Sequence, residues 1–244
     1  MTLIDAIRCA TIFDASPLIR SGMPCYPGHP PVEIDHGART HKRDGYFLQT
    51  LSVGEHTGSH ADAPAHALVD RAEETIDKIP ARRFVAPYLI LDLSPLDLRP
   101  GDLASLSDVR AAESCSGYQL QSGDAALINF GWDTYYDRPQ GWWAANCPGL
   151  SAEACAYLVA CGIGLVGSDT ATCDTAVRNG RIISQAGHSQ FFLPNGIPIV
   201  EGLVGLGVVP VRGVFVGAPL KVEGGSGAPL RALLIVEGTH DDHR

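Results

Sequence analysis

The stretch GEHTGSHADAPAH, residues 54–66, gathers four residues that commonly bind metal ions within eleven positions. They are His56, His60, Asp62 and His66, and the whole chain contains nine histidines. Imidazole and carboxylate groups without thiolates are typical ligands of Zn²⁺, Mn²⁺ or Fe²⁺. The alternative is a hydrogen-bonded structural cluster, because a single histidine most often has a structural role. Four such residues at this spacing favour a site for a divalent metal ion.

The backbone of this stretch must turn if its side chains are to meet. Four residues of straight strand span roughly 13 Å, which separates His56 from His60 too far for one ion. A helix would bring these two together, but it would rotate Asp62 away, and a proline two residues later would break it. We therefore expect the chain to leave a strand at residues 46–53, turn sharply and continue as coil, with Gly58 free to adopt a positive φ.

The same stretch divides into ligands and a group for proton transfer. A catalytic metal ion usually takes three protein ligands and keeps a position for water, and His56, His60 and Asp62 are sufficient for that. His66 is then free to act as a general base or acid on the water. The alternative is that His66 is a fourth ligand that closes the site.

The composition indicates a globular protein and is compatible with a small-molecule substrate. The 244 residues carry a formal net charge of −9, with 45% hydrophobic and 18% charged residues. Nucleic acid and anionic membranes need a basic surface, so neither is expected as a partner. The seven cysteines include no C-x-x-C pair, which favours reduced thiols. We recognise no signal peptide and no apolar run long enough to span a bilayer, so we expect a cytoplasmic protein. No linker marks a boundary, so we expect a single domain over residues 1–244.

Short apolar runs bounded by glycine, proline or aspartate predict a strand-rich protein. The predicted strands are 46–53, 86–93, 125–130, 162–169, 197–203, 213–220 and 231–238. The predicted helices are 150–162 with Ser151 as N-cap, 105–114 with Ser107 as N-cap, and a short helical turn at 75–80. Because most of the strands are too apolar for one-sided exposure, we expect a mixed α/β protein with a largely buried central sheet.

Residues 56–66 also match the pattern H-x-G-[TS]-H-x-D-x-P-x-H at every position. This pattern resembles the signature of the cyclase-like metal hydrolases, which include bacterial kynurenine formamidase and isatin hydrolase. Further segments resemble the family in its order along the chain. They are MPCYPGHPP (23–31), GIGLVGSDTATCD (162–174), GHSQFFLPNGIPIVEGL (187–203) and APLKVEGGSGAPLRALLI (218–235). The resemblance therefore covers most of the chain.

The resemblance implies a fold and a set of metal ligands. The fold would be a swivelling β/β/α domain, an α/β fold with a strand-rich mixed sheet and a few flanking helices, assembled as a homodimer or homotetramer. His56, His60 and Asp62 would bind a first metal ion, and Asp62 would bridge to a second ion held also by His188 and Glu201. The cofactor would be Zn²⁺ or Mn²⁺, with one or two ions per chain.

The resemblance also implies residues that act on the substrate. His66 would be the proton donor and acceptor, and Tyr26 falls where kynurenine formamidases tend to carry a tryptophan in contact with the substrate. Trp132 is the second residue that we expect at the substrate. Further aromatic candidates for the pocket wall are Phe47, Tyr135, Trp142 and Trp143. Aromatic packing beneath a long loop at 129–143 explains the three tryptophans equally well.

Two departures from the kynurenine formamidase pattern concern the second metal segment. Ser189 follows His188 where many of those enzymes have a second histidine, and the spacing from His188 to Glu201 is one residue longer.

The implied reaction is hydrolysis of a carbonyl–nitrogen bond, in an open aryl formamide or in a cyclic amide such as isatin. The metal would lower the pKa of water, and His66 would take up a proton and return it to the leaving nitrogen. The alternatives are a lactone or polyketide-type cyclase-hydrolase, and a non-catalytic metal- or small-molecule-binding protein on the same fold. A serine hydrolase is disfavoured, because GHSQF, the nearest match to G-x-S-x-G, fails at Phe191.

Overall fold

The computed structural model describes residues 2–238, apart from the side chain of Gln140. The strands within this range are β1 (Thr11–Asp14), β2 (Glu33–Arg39), β3 (Leu48–Ser52), β4 (His60–Asp62), β5 (Val85–Asp92), β6 (Leu103–Ala104), β7 (Ala125–Asn129), β8 (Gly149–Leu150), β9 (Leu165–Ser168), β10 (Ala176–Arg178), β11 (Arg181–Ser184), β12 (Ile199–Glu201), β13 (Arg212–Val216), β14 (Gly227–Pro229) and β15 (Leu233–Val236). The α-helices are α1 (Leu3–Cys9), α2 (His41–Asp44), α3 (Leu106–Ser116), α4 (Trp142–Ala145) and α5 (Ala152–Ala160).

Nine strands form one mixed sheet in the order β1-β15-β13-β5-β7-β9-β12-β4-β14. The four neighbours β5, β7, β9 and β12 run parallel, and the strands on either side of them pair antiparallel. Three further pairs, β2 with β3, β6 with β8 and β10 with β11, lie outside this sheet. The prediction of a strand-rich α/β fold with a mixed sheet and few helices is confirmed.

The central strands bury side chains on both faces of the sheet. Successive residues of a strand point to opposite faces, so that Tyr88 and Ile90 belong to one apolar cluster while Leu89 and Leu91 belong to the other. Helices α3 and α5 contribute buried residues to the second of these clusters. Cover on both sides is what a parallel sheet requires, and it explains why the strand sequences read as unbroken apolar runs.

The two predicted helices begin at serine caps, one of them at a different residue from the one predicted. Ser151 caps α5 by accepting the N–H of Ala154, as predicted. The prediction of Ser107 as the cap of α3 is wrong, because Ser105 holds that position. The side chain of Asp108 accepts the backbone N–H of Ser105 at 2.8 Å, and Ser105 accepts the N–H of Asp108 in return. This reciprocal capping box satisfies two free N–H groups at the helix start.

The expectation of coil after the turn in residues 54–66 is partly wrong. His60–Asp62 form strand β4, because their backbone pairs with both β12 and β14. The predicted turn of helix at 75–80 is present as a 3₁₀ turn at Ile76–Lys78.

The seven cysteines are all unpaired. None of the helices in residues 2–238 combines the length and apolarity that crossing a bilayer requires.

Candidate metal centre

Two neighbouring strands bring the first candidate metal ligands together. β4 pairs antiparallel with β12, and the register sets Glu201 opposite His60. Residues opposite one another in an antiparallel pair share a face of the sheet, and Nε2 of His60 lies 3.3 Å from Oε2 of Glu201. Asp62 lies two residues along the same strand, so its side chain points to the same face. The sheet thus brings Glu201 next to the histidines and aspartate of residues 54–66.

A tight turn ahead of β4 returns His56 to the same face. Gly58 in this turn has a φ of 60°, and Gly202, which lies against it, has a φ of 69°. A β-carbon on Gly202 would lie 2.6 Å from the carbonyl oxygen of Gly58, so the close approach of these backbones requires glycine. The same carbonyl accepts a hydrogen bond from Nδ1 of His60 at 2.9 Å, which leaves Nε2 of His60 to face the carboxylates.

Asp62 is at the centre of the cluster and is completely buried. Its Oδ1 lies 2.7 Å from Nδ1 of His56 and 3.5 Å from Nε2 of His60. Its Oδ2 lies 3.3 Å from Nε2 of His188, which is also 3.4 Å from Oε1 of Glu201. Three imidazoles and two carboxylates therefore converge on one small volume.

Two carboxylate oxygens in this cluster accept no aligned hydrogen bond from the described residues. They are Oδ1 of Asp62 and Oε1 of Glu201. Native proteins pair nearly all buried polar atoms, and an uncompensated buried carboxylate is costly. Ligand atoms of His60, Asp62 and Glu201 lie within 4.8 Å of one another, as do those of His56, Asp62 and His66. The cluster therefore fits a divalent cation with nitrogen and oxygen ligands.

His188 enters the cluster from a π-helix at Gly187–Phe191, a conformation that is frequent at functional sites. Asp174, which is completely buried, holds it there. Oδ1 of Asp174 accepts a hydrogen bond from Nδ1 of His188 at 2.5 Å, and Oδ2 accepts the backbone N–H of Gly187 at 2.7 Å. Because Nδ1 is occupied in this way, Nε2 is the nitrogen that faces Asp62. A carboxylate partner of this kind orients metal-binding histidines.

The buried charges shift one another's pKa values. Burial by itself would lower the pKa of His60, but the hydrogen bond with Glu201 and the charge of Asp62 outweigh it and raise the pKa to about 9. Burial also opposes the charged form of His188, and Asp174 outweighs it, so that its pKa rises well above the ordinary value. Burial would raise the pKa of Asp62, but the neighbouring histidines hold it well below the ordinary value. A cation bound here would replace the protons on these histidines.

His66 lies at the edge of the cluster. It ends a 3₁₀ turn at Pro64–His66, and its ring centroid is 4.1 Å from that of His56 and 6.0 Å from that of His188. Part of the side chain reaches solvent, yet desolvation by the surrounding protein, opposed by the charge of Asp62, lowers its pKa to about 4. The imidazole is therefore neutral near pH 7 and is able to accept a proton.

A pocket of about 190 Å³ opens onto the cluster. The residues that line it include Tyr26, His29, His56, His60, His66, Tyr136, Trp143, His188 and Glu201. The ring of Tyr26 lies 5.3 Å from that of His29, which in turn lies 6.0 Å from that of His56, so the loop ahead of β2 forms one wall. Aromatic walls with a few polar groups are typical of small-molecule sites.

Comparison with known proteins agrees with this architecture. The model of the Cyclase family matches residues 13–175, which is more than half of the chain. The chain belongs to this family. Isatin hydrolase of Roseibium aggregatum is 25% identical over 244 residues, which cover 96% of this chain and 92% of that protein. Kynurenine formamidase of Salinibacter ruber is 29% identical over 224 residues, which cover 91% of this chain and 96% of that protein.

Solved structures show the same Cyclase-family fold. An isatin hydrolase bound to the product analogue thioisatinate superposes with a TM-score of 0.85 at 24% identity, covering 97% of this chain and 100% of that one. Isatin hydrolase A from Ralstonia solanacearum gives a TM-score of 0.85 at 24% identity, with 97% and 98% covered. The resemblance inferred from residues 56–66 is thus confirmed at the level of family and fold.

Most of the predicted site residues of this Cyclase-family chain lie together, and one does not. The five predicted ligands form the cluster described above, with His66 at its edge and Tyr26 on the pocket wall. Trp132 does not line the pocket: it is only 3% exposed, its Nε1 donates to the carbonyl of Asn146 at 2.7 Å, and its ring stacks on Trp142. The expected substrate contact at Trp132 is corrected accordingly, because the ring packs in the core.

The sequence pattern assigns no role to several residues that the fold brings to the site. Asp174 orients His188, while His29 and Tyr136 line the pocket. His29 stands within the segment MPCYPGHPP, but one loop histidine carries no signal that separates it from a surface residue. Asp174 ends the segment GIGLVGSDTATCD (162–174), and only its contact with His188 shows what it does at the site.

Proposed function

We propose that this Cyclase-family protein is a metal-dependent hydrolase that cleaves a carbonyl–nitrogen bond, in an open aryl formamide or in a cyclic amide such as isatin. The observation that carries the proposal is the pair of buried carboxylate oxygens, on Asp62 and Glu201, that accept no aligned hydrogen bond from the described residues. The names of the relatives, kynurenine formamidase and isatin hydrolase, support hydrolysis and the amide substrate class.

The cluster contains enough ligands for one or two ions of Zn²⁺ or Mn²⁺. His56, His60 and Asp62 would hold the first ion. Asp62 reaches towards both groups of ligands, so it would bridge to a second ion held by His188 and Glu201. A divalent ion bound here supplies a Lewis acid that lowers the pKa of water and polarises a carbonyl group.

His66 would carry the proton in this reaction. It is neutral near pH 7, it lines the pocket, and its ring stands beside His56. A neutral imidazole can accept a proton from water and return it to the leaving nitrogen. Tyr26 would contact the substrate from the pocket wall, where its ring lies 5.3 Å from that of His29.

The competing proposal is a protein that binds a metal ion or small molecule without turnover, with His66 as an additional ligand. The proximity of ligand atoms on His56, Asp62 and His66 favours that reading. The two proposals differ in what the removal of His66 should do, because a ligand supports metal binding whereas an acid–base group supports only the reaction.

The test is His66→Ala, compared with wild type and with His41→Ala, a control at an exposed histidine on α2. We expect His66→Ala to keep its metal content and to lose hydrolysis of N-formyl anilines or isatin by a factor on the order of 10²–10⁴. Metal analysis and a substrate panel that adds imides and lactones are the measurements. Loss of metal from His66→Ala would identify a ligand, and metal uptake by wild type without hydrolysis across the panel would favour the binding protein.

A further inference from the structure

The imidazole of His56 has a hydrogen-bonded partner on the side away from the cluster. Its Nε2 lies 3.0 Å from Oγ of Ser226. The hydroxyl of Ser226 donates to Oε2 of Glu55 at 2.7 Å, and the backbone N–H of Ser226 donates to the same oxygen at 3.0 Å. A short chain of groups therefore runs from Glu55 through Ser226 to His56.

The direction of donation along this chain follows from the chemistry of its members. An ionised carboxylate can only accept, so the single hydroxyl proton of Ser226 points to Glu55. Oγ of Ser226 then has only lone pairs to offer to His56, and Nε2 of His56 must carry the proton. In a neutral imidazole this leaves Nδ1 with a free lone pair, and Nδ1 is the nitrogen that lies 2.7 Å from Oδ1 of Asp62.

Close backbone packing holds the hydrogen-bonded series Glu55–Ser226–His56 beside the metal ligands. β14 pairs with β4 so that Gly227 lies opposite Asp62. A β-carbon on Gly227 would lie 2.6 Å from Cε1 of His56 and 2.7 Å from the carbonyl oxygen of Ala61. Only glycine lets the backbone that carries Ser226 approach the ring so closely, which brings the hydroxyl within reach of Nε2.

We propose that Glu55 and Ser226 are positioning residues that hold His56 in the Nε2-protonated tautomer, so that it binds the metal ion through Nδ1. This inference rests on the metal site of the proposed function. It sets His56 apart from its neighbours, because Nδ1 of His60 donates to Gly58 and Nδ1 of His188 donates to Asp174. Those two histidines bind through Nε2, and His56 alone of the three uses the other nitrogen.

The hydroxyl of Ser226 can be removed without removing a metal ligand. In Ser226→Ala the N–H of His56 loses its acceptor, both tautomers become accessible, and we expect the affinity for Zn²⁺ to fall about 10- to 100-fold. Ser226→Thr keeps a hydroxyl and should recover most of the affinity. Glu55→Ala removes the acceptor of the hydroxyl proton, so Ser226 can donate to Nε2 of His56 instead and favour the other tautomer, and we expect a similar fall of about 10- to 100-fold in Zn²⁺ affinity.

The experiment uses the full chain, stripped of metal and titrated with Zn²⁺ against a chelator. The ¹⁵N chemical shifts of the His56 ring in the Zn²⁺-loaded wild type give an independent readout, and we expect a protonated Nε2 and a metal-bound Nδ1. Ser16→Ala is the matched control, because among residues 2–238 Oγ of Ser16 accepts only the N–H of Ala232 at 2.8 Å, in a different part of the fold. The Zn²⁺ affinity of this variant should equal that of wild type.

The outcomes separate this inference from the proposed function. If wild type binds no Zn²⁺, the metal site itself is refuted. If wild type binds Zn²⁺ but the ring shifts show a protonated Nδ1, or if Ser226→Ala binds Zn²⁺ as tightly as wild type, the metal site stands and the positioning role is overturned.

Discussion

Gly187→Ala should damage the metal centre without touching a ligand. Gly187 begins the π-helix that carries His188 and packs directly against Asp174. A β-carbon at this position would lie 2.5 Å from the ring of Phe192 and closer still to Cγ of Asp174. An ordinary contact needs at least 3.4 Å, so the carboxylate, the aromatic ring or the π-helix must move by about 1 Å.

The expected magnitude follows from those contacts. Overpacking of a closely packed interior costs about 1–3 kcal/mol. Displacing Asp174 also weakens its hydrogen bonds to the N–H of Gly187 and to Nδ1 of His188, and hydrogen bonds to a charged group are each worth about 1.5–3 kcal/mol. We therefore expect the free energy of unfolding to fall by roughly 3–5 kcal/mol, which lowers the Tm of a protein of this size by roughly 6–20 °C. Because His188 loses its orienting partner, Zn²⁺ affinity should fall about 10- to 100-fold.

Thermal denaturation of the metal-free protein and chelator competition with Zn²⁺ measure the two effects separately. Gly37→Ala is the matched control, since Gly37 is exposed on β2 and a β-carbon there meets only Oδ1 of Asp35 at an ordinary 3.4 Å. That variant should be as stable as wild type or slightly more stable. A Gly187→Ala protein with the Tm and Zn²⁺ affinity of Gly37→Ala would refute the argument that this packing holds His188 in place.

Two further predictions concern protons and hydrogen bonds. In the metal-free protein the pKa of His60 is about 9 and that of His188 is also raised, so a cation must displace protons below pH 9. Zn²⁺ affinity should therefore rise at least about tenfold per pH unit as the pH increases towards 9. The raised pKa of His60 also stabilises the metal-free fold. This stabilisation is complete below about pH 6.5 and is lost as the pH rises through 9. An affinity that is constant over this range in chelator competition would contradict the assignment. Tyr88→Phe should lower the free energy of unfolding by about 1–2 kcal/mol, because the hydroxyl of Tyr88 donates to the carbonyl of Pro210 at 2.9 Å. The buried hydroxyl of Tyr136 has no partner among the described residues, so Tyr136→Phe should be at least as stable as wild type. Equal Tm losses in the two variants would show that the Tyr136 hydroxyl is paired after all.

Residues whose structure depends on local pattern were predictable. The apolar run at 86–93 corresponds to β5 (Val85–Asp92), and the helix predicted at 150–162 corresponds to α5 (Ala152–Ala160). Both were predictable because periodicity and capping depend on residues that are neighbours in sequence. Strand β4 was not predictable in this way. Its three residues, His60–Asp62, carry no apolar alternation, and their extended conformation comes from the backbones of β12 and β14 on either side.

Residues 54–66 by themselves determined that this chain contains a candidate metal site. His56, His60, Asp62 and His66 are close in sequence, and imidazole and carboxylate groups can be identified as metal-binding types without knowing the fold. The tertiary structure decided which nitrogen of each histidine faces the cluster, since the partners Asp174 and Ser226 lie on distant segments. It also decided that Trp132 belongs to the core. Hydrogen bonds and packing between residues far apart along the chain depend on strand register and loop placement, and a single sequence contains no local signal for either.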